Sequence, residues 1–308
     1  MLLDTASLYF RAFYGVPTSV TAPDGTPVNA VRGLLDFISR LVTDHAPTDL
    51  IAAWDEDWRP EFRVSAIPSY KAHRVAPEAA PELDGESVPD ELLPQVTLIE
   101  EILKASGIAR LGIPGFEADD VIGSLASQTS DPVLVVTGDR DLFQIVDDAQ
   151  PVRVLYTAAK GVGNAEVIDD AAVFSRYGVH AHEYAEFALL RGDTSDGLPG
   201  VKGIGEKTAA ALIRQFGTID QLVAAAEDES SDLKPGVRRN LLAGRDYITV
   251  AGPVVQVART IELPAVASSL PSEPADAGTL RALTETWGLT GAVDRMAQAF
   301  NWSNVSAP

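Results

Sequence analysis

The sequence predicts an α/β protein built on a mainly parallel, twisted sheet flanked by helices, followed by a helical region. Three observations predict this fold class. In the first half of the chain, short runs rich in Val, Ile and Leu alternate with helix-like runs, as they do in βαβ units. Three of the four predicted strands end in aspartate, at Asp4, Asp55 and Asp139. From about residue 180 the pattern becomes mostly helical.

The predicted strands are short and apolar and are bounded by polar or turn residues, as buried parallel strands are. They comprise residues 1–4, 50–55, 132–139 and 152–157. The helix-like runs of the first half comprise residues 28–45, 92–106 and 118–129. Those of the second half comprise residues 182–191, 205–216, 218–227 and 235–244, followed by an amphipathic segment over roughly 279–301.

We divide the chain into a core of residues 1–180, a helical subdomain of residues 181–260 and an extension of residues 261–308 that packs on the core. Residues 75–94 are rich in Pro and Glu, which predicts a mobile or loosely packed segment. Residues 261–278 are rich in Pro, Ala and Ser, which predicts a loose connection.

The composition excludes several classes of protein. The 308 residues are 46% apolar, which is enough for a sizeable core, and the absence of cysteine excludes disulfides and thiolate metal sites. No apolar run approaches the about 20 residues that a membrane span needs, and no secretory signal opens the chain, so we expect a cytoplasmic protein. The formal net charge of −20 by itself argues against nucleic acid and suits a monomer.

Nine carboxylates lie beside strand ends, at a helix start or in turns. They are Asp4, Asp55, Glu117, Asp119, Asp120, Asp139, Asp141, Asp193 and Asp196. Any single pair can be explained as a helix N-cap or an Asx turn. Together they indicate bound cations, because the carboxyl ends of parallel strands meet at one edge and like charges there repel.

The chemistry of the carboxylates favours Mg²⁺ or Mn²⁺. Ligand sets made of oxygen suit these hard ions, and none of the four histidines lies near the acidic motifs, which argues against zinc. Two such ions about 3.5–4 Å apart are suited to phosphodiester hydrolysis. If residues 139–141 are extended, Asp139 and Asp141 point to one side, and a helical turn over 193–196 would do the same for Asp193 and Asp196.

Residues 200–205, GVKGIG, predict a hairpin between two helices. Its backbone N–H groups can hold a DNA phosphate, and the carbonyl groups of Val201 and Ile204 are candidates for binding a monovalent cation, which the family resemblance described below implies is K⁺. The residues proposed for the DNA contact are Gly200, Lys202, Gly203, Gly205 and Lys207. A helix-turn-helix without any ligand is the alternative, and the spacing does not match a Walker P-loop.

Five motifs in order resemble the 5′ nuclease or flap endonuclease family, and most closely the bacterial 5′–3′ exonucleases and the N-terminal nuclease module of DNA polymerase I. The motifs are LLDTASLYFRAF (2–13), WD…FR…YKAHR (54–74), GFEADD (115–120), TGDRDLFQ (137–144) and GDTSDGLPGVKGIGEKTA (192–209). The resemblance covers roughly residues 1–250. It implies a PIN-like (resolvase-like) core, a helical arch over about 58–94 and a helix–hairpin–helix subdomain.

The resemblance also implies roles for individual residues. The ligands of a first ion would be Asp4, Asp55, Glu117 and Asp119, and those of a second ion Asp139, Asp141, Asp193 and Asp196. Either Asp119 or Asp120 would lie between the two ions or behind their ligands. Lys71 and Arg74 would act on the scissile phosphate. Phe10, Arg63 and Tyr70 would contact DNA, although Phe10 fits a core position equally well.

The sequence departs from the family in two places. Thr5 follows Asp4 where bacterial relatives usually have Gly, and residues 75–94 are acidic and Pro-rich where an arch helix is expected.

We expect a structure-selective 5′ nuclease that uses two or three Mg²⁺ or Mn²⁺ ions to cut flapped duplex DNA, 5′ ends and RNA–DNA primers. A sliding clamp and a DNA polymerase are candidate partners. The alternatives are a catalytically silent junction-binding scaffold and an aspartate-rich phosphatase for small molecules.

Overall fold

A computed structural model describes residues 1–75 and 88–303 of the chain. In these residues, six strands form one sheet in the order β3-β2-β1-β4-β5-β6. The strands are β1 (Leu2–Asp4), β2 (Ile51–Ala53), β3 (Ala109–Leu111), β4 (Val133–Thr137), β5 (Val152–Tyr156) and β6 (Glu166–Ile168). Neighbouring strands are parallel except for β6, which is antiparallel to β5. The mainly parallel sheet is therefore confirmed.

Helices cover both faces of the sheet and make up the second half of the chain. They are α1 (Thr5–Gly15), α2 (Asn29–His45), α3 (Glu61–Ala66), α4 (Leu93–Ser106), α5 (Ala118–Gln128), α6 (Asp170–Tyr177), α7 (Tyr184–Arg191), α8 (Glu206–Phe216), α9 (Ile219–Glu227), α10 (Pro235–Ala243), α11 (Arg245–Val255), α12 (Ala277–Thr286) and α13 (Thr290–Ala299). Short 3₁₀ turns lie at Ala72–Arg74, Asp141–Ile145, Val162–Asn164 and Ala181–Glu183. Among the described residues, no helix is both long and apolar enough to cross a membrane.

Alternate residues of each strand enter two different cores. Leu2 and Val135 pack into the core on one face of the sheet, while Leu3 and Val136 pack into the core on the other. Burial of such side chains stabilises the fold by roughly 1.5–3 kcal/mol each. Because both faces are covered, the strands carry few polar residues, which is why their sequence is apolar without alternation.

All four strands predicted from the sequence are present, but two strands at the edges of the sheet were missed. β3 and β6 have three residues each, and each contains a charged residue. Arg110 lies in the middle of β3, and Glu166 begins β6. The seven predicted internal helices correspond to α2, α4, α5, α7, α8, α9 and α10. The sequence analysis missed α1, α3, α6 and α11, and α11 contains a helix-breaking residue, Pro253.

The C-terminal amphipathic segment forms two helices and not one. Gly288 has a φ of +65° and ends the first of them, so that α12 packs on α4 and α13 packs on α2. The connection over 261–278 was expected to be loose, but backbone bonds attach it to the core. Leu50 N–H donates to the carbonyl of Ser268, and Leu270 N–H donates to that of Thr48, both at 2.8 Å. Composition does not reveal such pairing between distant segments.

Part of the predicted arch over residues 58–94 lies outside the described residues. The loosely packed segment predicted over 75–94 consists largely of residues 76–87, which the structure does not describe. The part before it, residues 58–74, contains the short helix α3 and the 3₁₀ turn Ala72–Arg74. This part packs on the edge of the sheet where β1, β2 and β4 end, and so it can contribute side chains to a site there.

Candidate active site

The carboxyl ends of three neighbouring strands bring the first carboxylates together. β1 pairs with both β2 and β4, so Asp4 at the end of β1 lies between the segments that carry Asp55 and Asp139. Asp4 is buried and caps α1, because its Oδ1 accepts from Ser7 N–H at 3.1 Å. Its Oδ2 accepts from Thr137 Oγ1 at 2.6 Å.

A cavity of about 250 Å³ opens at this edge of the sheet. Its charged and aromatic lining residues are Asp4, Phe10, Asp55, Trp58, Lys71, Arg74, Glu117, Asp119 and Asp139. Asp55 connects the end of β2 to the start of α5, since its Oδ1 accepts from Ala118 N–H at 2.7 Å. We call Asp4, Asp55, Glu117 and Asp119 the first carboxylate group.

Burial and mutual repulsion raise pKa values within this group. Burial, together with the nearby charges of Asp55 and Asp139, raises the pKa of Asp4 to about 7 against the pull of its hydrogen bonds. Burial and the charges of Asp4 and Asp139 raise the pKa of Asp119 well above its usual value. The pKa of Asp55 is raised by burial and by Glu117. The group therefore needs positive charge to ionise fully.

Protein cations already hold Glu117. Its carboxylate pairs with Arg63 and with Lys71, and Tyr70 donates its hydroxyl proton to Oε2 at 2.6 Å. Burial alone would lower the pKa of Lys71, but the combined negative charge of Glu117, Tyr70, Asp196 and Asp55 outweighs burial and raises that pKa well above its usual value. Lys71 is thus a charged partner of the first carboxylate group.

Asp120 faces away from the cavity. It is fully buried, and Arg63 donates to both of its oxygens at 2.8 and 2.7 Å. The N–H groups of Glu117 and Ala258 complete its contacts at 3.2 and 2.8 Å. These bonds are at odds with the expectation that Asp120 binds a metal ion, and we assign it instead to fixing the start of α5.

Two expected DNA contacts also need correction. The side chain of Arg63 is only 3% exposed, and it joins Glu117 and Asp120 to the carbonyl of Val254 at 3.1 Å. Tyr70 is buried and donates to Glu117. Both side chains are buried and position carboxylates in this structure, which is at odds with the expectation that they contact DNA. Phe10, in contrast, is half-buried, packs partly on the core and lines the cavity.

We call Asp139, Asp141, Asp193 and Asp196 the second carboxylate group. Residues 139–141 are not extended, because Asp139 Oδ1 accepts from Asp141 N–H at 2.8 Å and a 3₁₀ turn begins there. Burial and the charges of Asp139, Asp196 and Asp193 nevertheless raise the pKa of Asp141 well above its usual value. Asp139 therefore interacts with both carboxylate groups.

Residues 193–196 form a turn that carries the other half of the second carboxylate group. Asp193 accepts from Ser195 N–H at 2.9 Å and pairs with Arg191 at 3.1 Å and Arg140 at 3.3 Å. Asp196 pairs with Arg74 at 3.0 Å. The expectation of a helical turn is replaced by an Asx turn, which also points the two carboxylates toward basic side chains.

A close contact joins this turn to the segment that carries Lys71. Lys71 N–H donates to the carbonyl of Asp196 and Ser69 Oγ donates to that of Gly197, both at 2.9 Å. Gly197 has a φ of +71°, and a Cβ added there would lie 2.2 Å from the carbonyl oxygen of Ser69. Only glycine fits this position, and the contact fixes the second carboxylate group relative to the first.

The oxygen atoms of the two carboxylate groups are ligands that suit hard divalent ions, although the side chains are not arranged around an ion. No group of three or more His, Asp or Glu side chains in the described residues can hold a metal ion as it stands. Protein cations occupy Glu117, Asp193 and Asp196. The carboxylates of Asp119 and Asp141, however, accept no hydrogen bond from any described residue, and both pKa values are raised. Unpaired, crowded carboxylates of this kind are suited to binding cations.

The hairpin of residues 200–205 lies between α7 and α8. Val201 N–H donates to the carbonyl of Leu190, and Ile204 N–H donates to that of Val201, both at 2.9 Å. The side chains of Val201 and Ile204 are buried, whereas Lys202 and Lys207 are exposed. The hairpin therefore presents backbone and positive charge to its surroundings. Its binding of DNA and K⁺ stays a prediction.

Tight turns explain two of the glycines of the hairpin. Gly200 and Gly203 have φ values of +66° and +79°. A Cβ on Gly200 would lie 2.6 Å from backbone atoms of Arg191. Gly205, which precedes α8, has open space around it.

The sequence analysis missed several residues of the site. Thr137, Trp58, Arg140 and Arg191 all touch the carboxylates or line the cavity. Arg140 and Arg191 could have been found, because each lies beside an acidic motif in the sequence. Trp58 and Thr137 carry no such signal, since apolar and hydroxyl residues near strand ends are common in any core.

Comparisons with known proteins extend over most of the chain. Residues 1–178 match the family model of the 5′–3′ exonuclease N-terminal resolvase-like domain, and residues 179–278 match that of the 5′–3′ exonuclease C-terminal SAM fold. A 5′–3′ exonuclease of Streptomyces coelicolor is 57% identical over 296 residues, which cover 96% of this chain and 98% of the relative. DNA polymerase I of Mycobacterium bovis is 42% identical over 78% of this chain and 25% of the relative.

Solved structures show the same fold. A complex of the bacteriophage T5 flap endonuclease with DNA and metal ions has a TM-score of 0.61 at 16% identity, over 98% of each chain. Its low identity limits that likeness to the fold, whereas the family models together span most of the chain. The chain therefore belongs to the 5′–3′ exonuclease family, and it is a nuclease.

Proposed function

We propose that this nuclease is a structure-selective flap endonuclease and 5′–3′ exonuclease that removes 5′ flaps and RNA primers during DNA replication and repair. The observation that carries the proposal is the cavity where Asp4, Asp55, Asp119 and Asp139 meet beside Lys71. The complex of T5 flap endonuclease with DNA and metal ions supports it, because the two chains share a fold. The cytoplasmic location and the monomeric state remain predictions.

The two carboxylate groups are the proposed ligands of Mg²⁺ or Mn²⁺. The first group would hold one ion and the second group another, with Asp139 close to both, and Asp120 is no longer included. When bound, such ions supply an activated water and neutralise charge on the reacting phosphate. The protein contributes the fixed positions of the carboxylates, which strand ends and caps hold in place.

Lys71 and Arg74 change partners in this proposal. In the structure they pair with Glu117 and Asp196 and so compensate two of the carboxylates. Divalent ions at the same carboxylates would make that compensation unnecessary. The ammonium of Lys71 and the guanidinium of Arg74, both of which line the cavity, could then turn to the phosphate and stabilise its developing charge.

The hairpin of residues 200–205 is the proposed grip on the duplex. Exposed Lys202 and Lys207, together with free backbone groups at the start of α8, suit phosphate without sequence preference. K⁺ bound at the carbonyl groups of Val201 and Ile204 remains a proposal of the same kind. No feature of the described residues supports a sliding clamp or a DNA polymerase as a partner, and these partners stay predictions.

The two alternative functions fit less well. A silent scaffold has no need of Asp119 and Asp141, two crowded carboxylates without hydrogen-bond partners in the described residues. A phosphatase for small molecules needs neither the hairpin nor the basic residues of 58–74.

Cleavage of a labelled flap distinguishes these functions. The chain is incubated with a duplex that carries a 5′ flap, with Mg²⁺ or with EDTA, beside the variants Asp139→Ala and Asp131→Ala. Asp131 is exposed at the opposite end of β4 and serves as the matched control. We expect release of the flap by the wild type and Asp131→Ala only in Mg²⁺, and binding without cleavage by Asp139→Ala. Normal cleavage by Asp139→Ala would overturn the metal assignment, and absence of DNA binding by the wild type would overturn the function.

A further inference from the structure

The outward face of α1 begins at the cavity and continues beyond it. Ser7, Phe10, Arg11 and Tyr14 follow the spacing of one helix face. Ser7 and Phe10 line the cavity, whereas the opposite face, including Leu8 and Ala12, is buried in the core. The face that carries Phe10 and Tyr14 is therefore not needed to pack α1.

Tyr14 is exposed to an unusual degree for an aromatic residue. Its exposed fraction is 73%, which is the highest among the large apolar side chains that the structure describes as exposed. Its ring plane lies within 13° of that of Phe10, with the two centroids 6.5 Å apart, and it meets Phe13 edge to face at 5.2 Å. Phe10 and Tyr14 thus form one aromatic surface that leads out of the cavity.

Positive charge accompanies this surface. Arg11 lies between the two rings in sequence, and none of the described residues forms an ion pair or a hydrogen bond with its side chain, whose Nε is buried without a partner. Single-stranded nucleic acid is typically bound by aromatic rings that stack on bases beside cations that face phosphates. An isolated exposed aromatic residue would need no explanation, but one that extends a cavity wall beside an unpaired cation does.

We propose that Tyr14 is a positioning residue that stacks on a base of the DNA strand being cut, one helical turn farther from the cavity than Phe10. This inference rests on the proposed function, because it needs DNA in the cavity. Tyr14 forms no hydrogen bond with a carboxylate of the described residues, so it would act on the affinity and register of the strand and not on the bond that breaks. Stacking needs the ring and does not need the hydroxyl group.

The test compares Tyr14→Ala with Tyr14→Phe on a duplex whose 5′ flap carries 2-aminopurine near the cleavage point. Binding is measured in EDTA and single-turnover cleavage in Mg²⁺. We expect Tyr14→Ala to bind the flap about tenfold more weakly, to lose quenching of 2-aminopurine and to cut with a nearly unchanged rate at saturation. Tyr14→Phe is expected to behave as the wild type.

The matched control is Phe174→Ala, which removes another exposed aromatic ring, on α6, away from the cavity. Unchanged affinity and quenching in Tyr14→Ala would overturn the inference, and so would an equal loss in Tyr14→Phe, which would point to the hydroxyl group. Because Tyr14 is exposed, unfolding of the variant is not expected, and a melting curve checks this. Cleavage by the wild type tests the proposed function separately, so the two failures are distinguishable.

Discussion

The first carboxylate group lies on strand ends and on α5, whereas the second comes from two turns, at 139–141 and 193–196, that meet across the molecule. Their counter-charges differ in the same way. Arg63 and Lys71 beside the first group are 3% and 15% exposed, while two of the three arginines beside the second, Arg74 and Arg140, are 35% and 41% exposed and the third, Arg191, is 12% exposed. Buried pairs are screened little by salt and exposed pairs are screened strongly. The first group is therefore fixed by the core, and the second depends on how the helical region docks.

The largest effect is expected from a feature that the two groups share, because each contains one carboxylate without a hydrogen-bond partner in the described residues. Asp119→Asn and Asp141→Asn each remove an unpaired carboxylate, and we expect single-turnover cleavage to fall on the order of a thousandfold. In EDTA the same variants should melt at a higher temperature than the wild type, because repulsion is relieved. Asp131→Asn is the control and should change neither property. Cleavage near the wild-type rate in either variant would remove that residue from the site.

The second expected effect separates the two groups. Arg63→Ala leaves Glu117 and Asp120 buried without their shared cation, so unfolding by urea should require about 3–5 kcal/mol less free energy. Arg74→Ala removes a partly exposed partner, and its loss should stay within about 1 kcal/mol. Similar losses for the two variants would mean that burial of the counter-charge does not distinguish the groups.

Lys71 has two roles that can be separated by experiment. In the structure it pairs with Glu117 of the first carboxylate group, and in the proposed function it stabilises charge on the reacting phosphate. Lys71→Ala should cut about a hundredfold more slowly. The same variant should bind Mn²⁺ about fivefold more tightly in calorimetry without DNA, since a competing cation is gone. Lys104→Ala, which removes an exposed lysine near the end of α4, is the control. Weaker binding of Mn²⁺ by Lys71→Ala would show that Lys71 does not compete with the ion.

The smallest expected effect concerns pH. The pKa of Asp4 is about 7 in the folded chain and 3.8 as its ordinary value, so the folded state holds a proton that the unfolded chain loses above about pH 4. Without divalent ions, stability should therefore fall by about 2.6 kcal/mol as the pH rises from 5 to 8. Asp4→Asn keeps the cap on α1 but should lose this part of the dependence, as measured by urea unfolding in EDTA. An identical pH dependence in the variant would contradict the burial of Asp4 as its cause.

Sequence reasoning located the carboxylates but could not orient them. Buried parallel strands have a clear apolar signature, and the aspartates at their ends follow from it, so Asp4, Asp55 and Asp139 could be placed at one edge. Asp119 and Asp120 are neighbours in the sequence, yet one helical step turns the first toward the cavity and the second toward Arg63. That direction depends on the packing of α3 against α11, which spacing within a motif does not contain.

The sequence also could not reveal which distant segments contact one another, because such contacts depend on the packing of the folded chain. Arg63 looks like any cation of a basic stretch, and only the folded chain shows that it is buried between carboxylates. The edge strands β3 and β6 escaped because each places a charged residue, Arg110 or Glu166, within only three residues, whereas the equally short β2 is wholly apolar. The hairpin at 200–205 could be placed, since glycine and proline mark turns locally.

The contact between Gly197 and Ser69 has a consequence for how the whole site can be disturbed at one position. Asp193, Asp196 and the hairpin of residues 200–205 lie on one short piece of chain, and that contact attaches the piece to the segment of Lys71. A side chain at position 197 would push the two segments apart, and so it would displace two carboxylates and the hairpin together from Lys71.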